Sequence, residues 1–265
     1  MSKAISAQIP SAFFKSRSSP LTSNLNQTSN LKPSLMERYN SFNFIHKGLR
    51  AALYQTALQL QQTDFMDEQK AEEAVNMVKE IIMLFEGHAH KEDNYVLPLI
   101  NEYEPSVVAA FNGEHEEDGK LGSHLNDAVR KVLNSATDTE KRITGRQLTE
   151  AFVRFMVFNL NHMAKEEDII NTILWRYYSD EEIKAVVAKI STVDPPWIHD
   201  FYTTWMIRGI NNSEAIEWMI AVQKTAPPVV FHGLLQKAKQ ELAKERFQKI
   251  TESLTQPRSE ELKVA

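Results

Sequence analysis

His88 is followed four residues later by Glu92, and His162 four residues later by Glu166. One helix earlier in each case stands a further histidine, His46 ahead of the first pair and His115 ahead of the second. The lone histidines are 69 residues apart and the pairs 74 apart, which reads as two similar helix–helix units facing each other. On an α-helix, positions i and i+4 share a face, one turn apart. Each pair can therefore aim an imidazole and a carboxylate at one point. Four histidines and two carboxylates delivered by four helices make a shell for two transition metals in a bundle core. The same residues can instead form a structural network of buried hydrogen bonds. Each pair lies in a long apolar-periodic segment, FEGHAHKEDNYVLPLI and VFNLNHMAKEEDIINTIL. A histidine and a glutamate on such a stripe are costly to bury without partners.

Four long helices must position these residues. Apolar spacing and sparse turn signals predict them over about 34–62, 67–102, 106–135 and 140–178, with Asp138 or Thr139 capping the last. Pro98 falls late in the second and is expected to kink or loosen its end. Helices of this length joined by short loops imply antiparallel neighbours in an up-down-up-down four-helix bundle. Phe42, Leu49 and Leu53 share the face of His46, and Phe111 that of His115. Leu84 and Phe85 precede His88, with Tyr95 and Leu99 beyond Glu92; Phe155 and Phe158 precede His162, with Ile169 and Ile173 ahead. The aromatics are core residues that would also keep water and reductants from a metal. His90, His124, His199 and His232 fall off the stripes or lack partners, and are expected at the surface or in ordinary packing.

Composition sets limits. A chain of 265 residues, 42% of them hydrophobic, can hold one large domain or two small ones with a real core. Eight glycines and long stretches without proline favour an all-α fold. The net charge of −5, with mixed signs, leaves no nucleic-acid footprint. No apolar run is long enough to span a membrane. The absence of cysteine excludes thiolate sites, so any metal sits on nitrogen and oxygen, and it fits a reducing, cytoplasmic setting.

The ends are different material. Residues 1–35 are serine-rich and basic and carry no acid before Glu37, which reads as a disordered tail or, alternatively, an organellar transit segment. Beyond 180 the chain continues through WIHDFYTTWMIRGI and SEAIEWMIAV, with Ser213 expected as an N-cap, to a longer amphipathic helix from Pro228 to about 253. Trp197, Trp205, Trp218 and Phe231 cannot all be left in water. They either pack on the bundle as a helical appendage over 181–255 or form a surface for a homodimer or protein partner. Residues 256–265 read as a tail.

The segment HAHKEDNYVLP resembles the hemerythrin-like (HHE cation-binding) family, in which a histidine is followed by paired acids four and five later, then an apolar residue and proline. His88, Glu92, Asp93, Leu97 and Pro98 occupy those places. EHEED around His115 and HMAKEED around His162 are similar to their family counterparts, and the resemblance covers about 36–178. It implies a hemerythrin-type bundle over 36–180 with an oxo- or hydroxo-bridged di-iron centre. His46, His88, His115 and His162 would be terminal ligands, and Glu92 and Glu166 the bridges. Manganese suits the same donors. The implied ligands are dioxygen, nitric oxide or peroxide. Oxygen carriers of the family have a fifth histidine where this chain has Gly119, and space the last carboxylate five residues after its histidine, where Glu167 stands. Helix geometry favours Glu166; Asp118, or else a water or substrate, would take the place of the missing histidine. These departures favour redox chemistry or sensing over oxygen carriage. An iron- or oxygen-responsive interaction module without turnover is the alternative to a reactive di-iron protein.

Overall fold

The computed structural model describes residues 38–255; the tail or transit reading of 1–35, the expected start of the first helix at 34 and the final tail lie outside them. The described residues are helical, without strands. Helix α1 spans Asn43–Gln62 and α2 Glu68–Lys91; α2 runs through a π-helical turn, Glu92–Val96, into α3, Leu97–Asn101. After α4 (Pro105–Leu133), α5 (Asp138–Lys165) runs through a second π-helical turn, Glu166–Ile170, into α6, Asn171–Tyr177. Pro98 sits at the start of α3, where its missing N–H costs least. The last long helix is capped by Thr137 in a reciprocal capping box with Glu140, one residue ahead of Asp138 and two ahead of Thr139, the expected caps.

Each π turn begins at the glutamate of a His-x-x-x-Glu pair. A π turn inserts one residue into the α-helical repeat, so the apolar stripe beyond it moves on by one position. The face predicted through Tyr95, Leu99 and Ile169 is therefore displaced. Val96, Ile100, Ile170 and Leu174 are buried instead, while Ile169 is 40% exposed. Ile173 stays buried.

Two apolar clusters fill the bundle. One collects residues after His46 and before His88, such as Leu49, Leu53, Ile81 and Phe85, with Leu125, Leu148, Phe152 and Phe155 from α4 and α5. The other closes the opposite end with Phe42, Val96, Ile100, Phe111, Ile170 and Leu174. The histidines and glutamates lie between them.

Beyond the bundle, α7 (Asp180–Ile190) starts from a capping box, Ser179 with Glu182, that the sequence reading overlooked. Helices α8 (Pro196–Gly209) and α9 (Asn212–Thr225) follow, and the N-cap of α9 is Asn211 and not Ser213. The predicted single helix after Pro228 is two, α10 (Pro228–Glu241) and α11 (Lys244–Thr255), broken at Leu242, which is in extended backbone and buried. Helix α8 packs along α1, and its Tyr202 and Trp205 belong to the main bundle core. The α1–α8 approach is backbone to backbone: a Cβ on Gly48 would stand 2.8 Å from the Met206 nitrogen. Helices α9 to α11 bury a further cluster around Ile207, Met219, Ala238 and Ile250. Trp197 remains 55% exposed, so not every tryptophan is withdrawn from water.

Candidate metal centre

The fold brings all six predicted residues into one layer. His46 is fully buried; Glu92, His88, His162 and Glu166 are buried; the His115 side chain is 6% exposed. The α-helical turns leading to each glutamate hold His88 Nε2 3.1 Å from Glu92 Oε1, and His162 Nε2 3.0 Å from Glu166 Oε1. The lone histidines arrive from the facing helices. His46 Nε2 is 3.4 Å from Glu166 Oε2 and 3.1 Å from His88 Nε2. His115 Nε2 is 3.4 Å from Glu92 Oε2 and 3.7 Å from Glu166 Oε1. Each glutamate thus divides its oxygens, one toward His46 and His88, the other toward His115 and His162. Two donor groups result, His46, His88, Glu92, Glu166 and Glu92, His115, His162, Glu166, each with its donor atoms within 4.8 Å of one another.

The donor set fits cations. Both oxygens of Glu92, both of Glu166, and His115 Nε2 are buried without a hydrogen-bond partner. Buried carboxylate oxygens left this way are strongly disfavoured, and imidazole nitrogen with carboxylate oxygen is a donor mixture that divalent first-row metals take. Without a cation, protons carry the compensating charge. Burial opposes charging of His115, yet its contacts with Glu166 and Glu92 outweigh that and push its pKa up to about 11. The same contest, led by Glu166, raises His162 to about 9. Burial would raise the Glu92 carboxyl, but His88 and the neighbouring His115 and His46 imidazoles hold it well below the usual range.

A second layer of acids orients the rings. Glu167 Oε1 lies 2.9 Å from His46 Nδ1 and also accepts from Arg50. Asp93 Oδ1 lies 2.6 Å from His115 Nδ1, and Glu114 Oε2 2.8 Å from His162 Nδ1. Lys165 donates to the other Glu114 oxygen. These contacts fix the tautomer that leaves Nε2 free for a cation. Phe42 stacks on His46 with centroids 4.8 Å apart, and Phe158 lies nearly parallel to His162.

The departures considered in the sequence resolve geometrically. Glu166 points inward and Glu167 outward to His46. Asp118 is buried but outside both donor groups; Asn159 Nδ2 donates to it at 2.6 Å, and burial raises its pKa. Gly119 is exposed, with open space where a side chain would begin. His90, His124, His199 and His232 are all exposed. The sequence reading missed Glu114 and the ring-orienting role of Asp93 and Glu167, because these acids serve histidines on other helices, which spacing within one helix does not display.

The family model of the hemerythrin HHE cation-binding domain matches residues 39–174. Among curated proteins, the F-box/LRR-repeat protein 5 of Bos taurus is 24% identical over 106 residues, covering 40% of this chain and 15% of that protein. The chain therefore spans only a small part of the length of that relative. No solved structure matches the chain. No helix among the described residues is long and apolar enough to cross a membrane.

Proposed function

This chain belongs to the hemerythrin HHE cation-binding family, and from that premise we propose that it holds two iron ions and binds or reacts with dioxygen, nitric oxide or peroxide. Manganese is the competing metal. His46 and His88 would hold one ion, His115 and His162 the other, and Glu92 and Glu166 would bridge them. The observation that carries this reading is the division of the glutamate oxygens between the two donor groups, all four oxygens being buried and unpartnered.

Bound iron would supply the redox and small-molecule binding chemistry. The chain supplies the rest. Glu167, Asp93 and Glu114 hold the imidazoles in register. The apolar clusters on either side exclude bulk water. Asp118, whose carboxyl burial pushes up, is held by Asn159 one turn from His115.

A second reading, an iron- or oxygen-responsive module without turnover, is favoured by the packing of the C-terminal helices beside the donors. Lys47, next to His46, pairs with Glu214 of α9. Lys91, next to Glu92, pairs with Asp194 at 2.5 Å and lies over the Tyr202 ring of α8. A change at the centre has a short path to those helices.

Metal analysis and an ultraviolet–visible spectrum of the purified full chain test the proposal. Two irons per chain with charge-transfer bands that respond to azide are expected. A chain that takes up no transition metal under anaerobic iron(II) loading would sink it. Turnover with a reductant favours the first reading, and metal-linked association without turnover the second.

A further inference from the structure

The two halves of the centre can be superposed by sequence number. His46 corresponds to His115, and by the same offset Ile45 corresponds to Glu114; His88 corresponds to His162, and by its offset Lys91 to Lys165. The acids after the bridges also match. Asp93 holds Nδ1 of His115 in the other half, and Glu167 holds Nδ1 of His46 in the first, a crosswise and symmetrical exchange.

The symmetry fails at one place. In the second half, Glu114 joins His162 Nδ1 to Lys165. In the first half its place is taken by Ile45, which packs against the apolar core. Lys91 then has no acid within the bundle to pair with and turns to Asp194. His88 Nδ1 has no hydrogen-bond partner among the described residues, whereas the other three donor histidines each have a carboxylate there. Carboxylates in this position fix the ring and raise its basicity toward a metal, and their loss typically costs about 10–100-fold in affinity.

We infer that the two cation positions are unequal: the His115–His162 position fills first, and the His46–His88 position is the weaker, exchangeable one, with Glu114 as the positioning residue that sets the difference. This rests on the six donors binding two cations. The inequality comes from a single substitution of position, glutamate against isoleucine, and not from the number of donors, since each group offers two imidazoles and shares both carboxylates.

The test is an anaerobic titration of the full-length apo-protein with cobalt(II), read by visible absorption and by bound-metal analysis after desalting. Two resolved steps separated by at least about tenfold are expected. His88→Ala should remove the weaker step and leave the tighter one in place, and His162→Ala should do the reverse. Glu114→Gln, an isosteric change at a side chain 26% exposed, should weaken the tighter step by about 10–100-fold and merge the two. Far-ultraviolet circular dichroism confirms that each variant is folded, and Glu114→Gln decides the matter if a histidine variant is not. Two cobalt ions bound with equal affinity, or a Glu114→Gln titration identical to wild type, would overturn the inference while leaving the two-cation reading intact. Failure to bind any cobalt would overturn both.

Discussion

The bundle is dressed on one side and bare on the other. Along α1 and α2 the C-terminal helices lie against the helices that carry His46 and His88: α8 meets α1 at Gly48, and Lys91 is covered by Tyr202 and Asp194. Along α4 and α5 the outer faces meet solvent, leaving Leu133, Ile143, Val153 and Val157 between 43% and 59% exposed. Both sides present the same kind of ligand pair to the centre. The difference teaches that ligand geometry is set from within, by helix spacing and π turns, while the covering of each ligand pair is set from outside.

The largest effect should come from the covered side. Gly48→Val forces a branched side chain into the Met206 backbone, which cannot yield as a side chain can. A loss of about 3 kcal/mol or more is expected in chemical denaturation. A variant as stable as wild type would mean that α8 does not sit on α1 and that the two sides are alike.

Next comes the element both sides share. Glu166→Ala removes a donor from both groups, so both cations should be lost together in metal analysis, with a fall in melting temperature of the loaded protein. Retention of one full equivalent would show that Glu166 serves one group and is not common to both.

The pH dependence is smaller and has a definite sign. Metal-free His115 and His162 have pKa values raised from 6.5 to about 11 and about 9. Between 6.5 and those values the folded state holds more protons than the unfolded state, so stability of the apo-protein should fall as pH rises through this window. The contribution is fully present below 6.5 and lost above the folded values. Cations displace the same protons, so metal affinity should rise over the same range. Thermal melts of apo and loaded protein from pH 6 to 10 should therefore diverge, and parallel curves would contradict the compensation described for the centre.

The smallest effect belongs to the bare side. Gly119→Ala meets open space in the middle of α4 and should stabilise by about 0.5–1 kcal/mol. A loss instead would mean that something covers this face in solution.

The ligand layer was readable because its information is local: i to i+4 pairs on apolar stripes, used twice. Glu92 and Glu166 needed no knowledge of other helices. Glu114 did, because its partner His162 lies 48 residues away in sequence. The π turns left no mark that spacing could reveal, so the stripes beyond them were misplaced by one residue at Val96 and Ile170. The break at Leu242 carries neither glycine nor proline, and the sequence read through it. For Trp205 the sequence leaves packing on the bundle and a partner surface open; the structure packs it from α8 against the bundle, a choice that depends on long-range packing that periodicity does not encode.

The two apolar clusters fill the bundle above and below the donor layer with packed side chains. The acids that orient the rings reach the surface beside that layer: Asp93 has a side chain 42% exposed, Glu114 and Glu167 each 26%. Arg50 pairs with Glu167 and Lys165 with Glu114, so two of the three acids carry a cation beside them at the surface. The same carboxylates that steady the imidazoles thus stand between the donor layer and solvent.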